Sequence, residues 1–449
     1  MSSEIRLRRE VWGPAQARRA RDRPAESPPS KTVPLGLLSW QNRIHAYSRR
    51  VTAKVPCWSG RCYYRAVVRF ESFLSQALSE LSAAHLLREP DDGAARQAVE
   101  AAAARLSLAP LDASSNDYLG LASRTVSRET LGNAGAGASR LVHGTAPEHL
   151  RLEQELAAWV GAETSLLFAS TYAANLGLIS ALAVKDSLVV SDAANHASLI
   201  DGARLGRAEV RVVPHLSLDG VRDALNERSR ARACFVVTES YFSMDGDGPD
   251  LAALRELCDA HDACLIVDEA HALGVFGASG SGRCAEAGIR PDVLVGALGK
   301  AVGTHGGFVA GSEILRVFLW NKARSFVFST APSPWHAELT RQHLTEVREA
   351  DELRLRLASN SAQLRSRLIA AGLSVAPGSF GPIVSVLLGD NERALLVAAR
   401  LRAVGVLAQA IRPPTVPAGA ARLRLTVKAT FGERELARLA HSVEDACRA

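Results

Sequence analysis

Short apolar runs and amphipathic stretches alternate through the middle of the chain. Strand-like runs fall at 165–168, 188–190, 209–213, 234–238, 264–267 and 293–296. Helical spacing falls between them at 171–183, from 197 to 204 and at 251–261. Such alternation predicts an α/β fold with a mostly parallel sheet whose crossovers are helices. The run 308–311 follows Gly306-Gly307 and is expected to turn back antiparallel. Upstream, 72–87 and 94–106 have helical character, 114–121 and 135–140 are turn-rich, and Pro147 opens a helix that Gly161 stops. After Pro332-Ser333-Pro334 the pattern changes to one long helical stretch at 335–371. Strands at 383–388, 406–411 and 422–427 and helices at 391–403 and 433–447 follow, an α+β lobe of its own. The expected organisation is an N-terminal extension (1–70), a helical segment (71–114), a large domain with a seven-stranded sheet (115–334) and a smaller C-terminal α+β domain (335–449).

Composition bounds this picture without changing it. The 449 residues are 47% apolar and 22% charged, ordinary for a globular chain large enough for more than one lobe. Apolar runs stay short of the ~18 residues of a spanning helix. The seven cysteines are odd in number and lack zinc-type pair spacing, which fits a reducing compartment and a cytoplasmic protein without a bound metal. The net charge of +6 is uneven: residues 1–70 hold 15 Lys and Arg against 4 Asp and Glu, and the remainder holds 38 against 43. The main body therefore gives no reason to expect nucleic acid or a membrane as partner. Residues 1–70 show neither helical nor strand periodicity and fit an over-long start, a basic tail or a targeting peptide; no chemistry is assigned to them.

Two motifs carry the candidate chemistry. The strand at 264–267 ends at Asp268-Glu269-Ala270-His271, and Lys300 follows the next strand, 32 residues after Asp268. In open α/β sheets ligands sit beyond the carboxyl ends of strands. An acid, an imidazole and a lysine at one such edge suit pyridoxal 5'-phosphate (PLP), which needs a lysine for its Schiff base and an acid for its pyridinium nitrogen. Each motif alone also fits an ordinary surface loop. The helix starting at Thr171 directly after a strand offers free amides to a phosphate, as any βα turn does. His196 follows a strand and is placed either to cover a cofactor ring or simply to cap a helix. Arg412, fixed by the prolines after it, is a fork for a carboxylate or a surface arginine.

Seven stretches in order extend the match: Ser115 to Leu121, Gly137 to Val142, Asn195 to Leu199, Phe242 to Asp247, Asp268 to His271, Gly299-Lys300, and Ile411 to Gly419 with Ala421 to Thr426. Together they make residues 70–449 resemble the α-oxoamine synthase family of fold-type I PLP enzymes, in its biotin-pathway branch. The resemblance implies a homodimer that joins L-alanine to a pimeloyl thioester, on CoA or an acyl-carrier protein, with loss of CO₂. It implies that Lys300 carries the Schiff base and moves protons, that Asp268 pairs with the pyridinium, and that His271 and Ser243 meet the phenolate side. His196 would stack on the ring. Amides at Thr171 and Tyr172 would hold the phosphate, with Ser329 and Thr330 from a second subunit. Asn116 and Arg412 would address the amino-acid carboxylate, and Thr415 would also meet substrate.

Two positions depart from the family pattern. Ala297 stands three residues before Lys300, where members often carry a hydroxyl that binds phosphate. Weaker PLP retention is expected. The stretch Thr426 to Phe431 lacks the histidine often found there, which bears on the acyl channel. The alternatives are a sibling synthase using glycine or serine with another acyl-CoA, or a non-catalytic partner subunit. The presence of Lys300, Asp268, His271 and His196 speaks against the latter.

Overall fold

The computed structural model describes residues 74–88, 94–123, 133–228 and 233–448. The basic segment 1–70 lies outside the described residues. The chain divides into two compact units, Met1–Glu80 and Leu81–Ala449. In the first, the described residues 74–80 are helical. The second unit holds every strand among the described residues.

Its strands in chain order are β1 (Leu111–Asp112), β2 (Thr164–Phe168), β3 (Ser187–Asp192), β4 (Glu209–Val213), β5 (Ala233–Glu239), β6 (Cys264–Asp268), β7 (Val293–Ala297), β8 (Gly307–Gly311), β9 (Ile383–Gly389), β10 (Val406–Leu407), β11 (Gln409–Ile411) and β12 (Ala421–Thr426). Seven of them form the main sheet in the order β2-β8-β7-β6-β5-β3-β4. Only β8 runs against its neighbours β2 and β7, as the glycine pair before it suggests. Apart from the edge strand β4, which is largely exposed, the strands read as mostly apolar runs because both faces are covered. Successive side chains point to opposite faces. Thus Val189 packs with Leu178, Ile179 and Leu199, while Leu188 and Val190 pack with Val221, Leu225 and Leu254.

C-terminal to the strands of the main sheet lies the antiparallel sheet β11-β12-β9, and β1 and β10 pair in parallel. Two expectations change here. The single helix expected over 335–371 is two, Pro334–Glu349 and Asp351–Ala370, broken at Ala350. The Arg354 guanidinium donates to the carbonyls of Val347 (2.6 Å), which also accepts from Ala350 N, and Arg348 (3.2 Å), which satisfies the break. The strand expected over 406–411 is also divided, because its first half pairs with β1 and its second with β12. The helices Leu218–Asn226 and Glu313–Lys322 were not read from the sequence, although Ser217 and Ser312 cap them by accepting from Gly220 N and Leu315 N.

Strands β2, β3, β5, β6 and β7 all run in one direction and end at one edge of the sheet. The next residues along the chain are those singled out above: Thr171 after β2, His196 after β3, Ser243 after β5, His271 after β6 and Lys300 after β7.

Candidate active site

Asp268 is the last residue of β6 and is buried. One carboxylate oxygen accepts from Ala270 N (2.8 Å), the other from Asn175 Nδ2 (2.6 Å). Asn175 lies one turn into the helix Thr171–Leu182 and also donates to Ser198 Oγ (2.9 Å), so acid, helix and His196 turn are tied together. Asn175 Oδ1 is buried with no partner among the described residues.

Lys300 sits in the turn between β7 and β8, closed by Gly303 N donating to the Lys300 carbonyl (2.9 Å). Gly303 has φ of 75°, and a Cβ there would lie 2.8 Å from Ala122 N, so only glycine lets the turn close. Burial pushes the Lys300 amine below its ordinary range, against the pull of the Asp268 and Glu239 charges.

The helix that would meet a phosphate begins at Thr171, with Ser170 Oγ accepting from Ala173 N (3.1 Å). Gly307 lies against it: a Cβ there would come within 2.5 Å of the Thr171 backbone. Tyr172 is 44% exposed and its hydroxyl donates to Asp201 Oδ2 (2.5 Å); its ring meets the His196 ring edge-on at 6.5 Å. His196 Nδ1 is engaged by Ser198, and its backbone N–H donates to Glu239 Oε1 (2.7 Å). Burial lowers the His196 pKa, and burial together with the neighbouring Asp268 raises that of Glu239.

His271 Nδ1 lies 2.7 Å from the Tyr118 hydroxyl. Burial drives the His271 pKa well down, helped by the Lys300 and Arg424 cations, and burial raises the Tyr118 hydroxyl to about 12. Tyrosine therefore keeps its proton and donates to neutral His271, which leaves the Nε2 proton as a hydrogen-bond donor.

Asn116 is met by an arginine that the motif did not single out. Arg424 Nη2 donates to Asn116 Oδ1 (2.9 Å), its Nε to the Ser243 carbonyl (2.6 Å) and its Nη1 to Thr426 Oγ1 (3.1 Å). Among the described residues these acceptors are all neutral. With its oxygen occupied by Arg424, Asn116 has its amide N–H groups to offer. Arg412 is placed differently. It is buried, its guanidinium donates to the His85 carbonyl, and its Nε has no partner among the described residues. Thr415, exposed on the same loop, accepts from Arg88 Nη2 (3.0 Å). Thr330 pairs with Ser139 in an isolated antiparallel bridge beside half-buried Ser329.

The sequence reading thus missed Asn175, Glu239, Tyr118 and Arg424 as site groups. Arg424 had a signal: Arg422 and Arg424 alternate with leucines on a strand buried along its whole length. Asn175 had one too, as an amide among the otherwise apolar buried residues of its helix.

The donor set fits PLP. A carboxylate fixed at a strand end, a desolvated lysine, a histidine turn and a free helix N-terminus lie at one sheet edge. Two imidazoles held neutral and a buried guanidinium complete a cationic and proton-donating pocket.

The aminotransferase class I and II family profile matches residues 110–443. An 8-amino-7-oxononanoate synthase of Marinobacter nauticus is 43% identical over 334 residues, covering 72% of this chain and 84% of that protein. A serine palmitoyltransferase from S. paucimobilis, solved with a bound PLP–myriocin aldimine, superposes with a TM-score of 0.72 at 30% identity, over 76% of this chain and 87% of that one. A crystal structure of 8-amino-7-oxononanoate synthase from Francisella tularensis gives a TM-score of 0.66 at 25% identity, over 76% of this chain and 98% of that one.

Proposed function

The chain belongs to the class I and II aminotransferase family, in its PLP-dependent α-oxoamine synthase branch, and from that premise we propose that it condenses L-alanine with a pimeloyl thioester to give 8-amino-7-oxononanoate, CO₂ and free thiol. The observation that carries this reading is the convergence on one sheet edge of Lys300, Asp268, His196 and His271 with the Asn116–Arg424 pair.

When bound, PLP supplies an electron sink for negative charge at the amino-acid α-carbon. Lys300 would hold it covalently, the amides at Thr171 and Tyr172 its phosphate, Asp268 its ring nitrogen, and Ser243 with His271 its phenolate side. Asp268 is oriented by Ala270 N and Asn175, so that its carboxylate would pair with a protonated ring nitrogen. The lowered pKa of Lys300 gives a neutral amine fraction near pH 7, the form that would hold the cofactor's aldehyde carbon with loss of water and, once displaced by the amino acid's amine, would take up the α-proton. His196 excludes water from one face while Glu239 holds its turn. Arg424 and the Asn116 amide grip the alanine carboxylate until decarboxylation, with Arg412 and Thr415 at the outer rim of the substrate path. Ser329 and Thr330 reach a neighbouring copy's phosphate site in a homodimer. We place the reaction in the cytoplasm, which suits the free cysteines.

The test is a thiol-release assay crossing alanine, glycine and serine with pimeloyl, acetyl and palmitoyl thioesters. Alanine with pimeloyl thioester is the expected productive pair. Turnover confined to glycine with acetyl-CoA, or to serine with palmitoyl-CoA, would overturn the assignment.

A further inference from the structure

His215 lies just beyond β4 and belongs to none of the motifs above, yet its ring joins two segments that carry site residues. Its Nδ1 is 2.8 Å from Asp192 Oδ1. Its Nε2 is 3.2 and 3.3 Å from the two oxygens of Asp247. The ring also meets Phe242 edge-on, with centroids 4.5 Å apart. With a carboxylate at each nitrogen, both nitrogens must donate, so the ring is an imidazolium.

Each carboxylate is built into a site-bearing turn. Asp192 ends β3 and also accepts from Ala194 N (2.7 Å) and Leu216 N (2.8 Å), shaping the turn that delivers His196. Asp247 closes the loop after β5: Phe242 N donates to its carbonyl (2.8 Å), with Ser243 enclosed between them. The carboxylates are 8% and 11% exposed and the imidazole 28%. The pairing is therefore shielded rather than a surface ion pair.

We propose that His215 is a positioning residue for the cofactor site, a charged clamp that fixes the spacing between the His196 turn and the Ser243 loop. The proposal rests on the PLP reading above. Asp192, at the end of β3, and Asp247, in the loop after β5, are the charged groups that face it. Burial alone would lower the imidazole pKa, but hydrogen bonds to Asp192 and Asp247, and their charges, outweigh it and raise the group to about 10. The folded-state value lies above the ordinary one. The clamp is therefore complete below the ordinary histidine range, ~6.5, and is lost as pH climbs through the folded-state value.

The experiment follows the visible circular dichroism of the bound cofactor and the PLP dissociation constant in the unaltered chain, His215→Ala, His215→Gly with and without added imidazole, and Asp247→Asn. Urea midpoints of the cofactor-free proteins run alongside. His215→Ala should weaken PLP binding about tenfold, alter the dichroic band and lower kcat more than it raises KM. Imidazole should restore the band in His215→Gly. In the unaltered chain the band should change with a midpoint near pH 10, and in Asp247→Asn at a pH lower by about a unit, because one carboxylate is gone. Lys300 titration alone would leave that midpoint the same in both. An unchanged band and PLP affinity in His215→Ala, with only the urea midpoint lowered, would overturn the proposal. So would identical midpoints in the unaltered chain and Asp247→Asn. A chain that never develops a visible band with PLP would remove the cofactor reading, and this proposal with it.

Discussion

Replacing Arg424 by lysine should raise KM for the amino acid by about 10- to 100-fold, the worth of one charge-assisted hydrogen bond at ~1.5–3 kcal/mol. Steady-state kinetics with Arg412→Ala alongside separates the two arginines. The larger effect is expected at Arg424, because its guanidinium is fixed against Asn116 and Ser243 while that of Arg412 is spent on the His85 carbonyl. Ala297 is buried at the end of β7, and Ala297→Thr should tighten PLP binding by a comparable factor, measured by dialysis and cofactor fluorescence; unchanged affinity would end that idea. Residues whose chemistry is local to a strand end, Asp268 and Lys300, were legible in the sequence. Arg424, Asn175 and Glu239 were not, because their site character comes from what the fold sets beside them. Glu239 reads as the end of a strand until its register against Asp268 puts two carboxylates on adjacent strands.

Among the elements, the helix Pro147–Val160 depends on a buried ion pair. Arg140 Nη1 and Glu153 Oε1 are 2.8 Å apart, with side chains 1% and 4% exposed, and Arg140 also lies over the Trp320 ring at 5.4 Å. Glu153 accepts from Leu167 N on β2 as well (2.9 Å), so one carboxylate ties turn, helix and strand. Glu153→Ala should lower stability by about 3–5 kcal/mol, read from urea unfolding, since it strands a buried guanidinium. Replacing both partners by apolar residues should cost much less. Strand and helix positions in the main sheet were legible because buried parallel strands and amphipathic crossovers leave strong periodic signals. The break at Ala350 and the division at 406–411 were not. One depends on where Arg354 reaches, the other on which strand each half pairs with, and neither is a property of the local sequence.

For the molecule as a whole, the proposed shared site predicts complementation. Mixing unfolded Lys300→Ala chains with Ser329→Ala/Thr330→Ala chains and refolding them together should give activity that neither gives alone; additive residual activity would count against sharing. The sheet order could be anticipated only as far as the βα alternation went, since strand neighbours such as β2 and β8 meet across 139 residues of chain at Phe168 and Gly307. The span of the site has a further consequence for the order in which it is made. Asn175 and Asp268 are 93 residues apart, Tyr118 and His271 are 153, and Asn116 and Arg424 are 308. A ribosome delivering the chain from its N-terminus completes the lysine turn and its acid long before β12 emerges. For that interval the nascent chain has its lysine and acid but no grip for a substrate carboxylate. Leu423 and Leu425 of β12 share one core with Leu298 and Ala301 beside the lysine turn, so the strand that brings the carboxylate grip also closes the packing around Lys300, and catalysis waits for the last part of the chain.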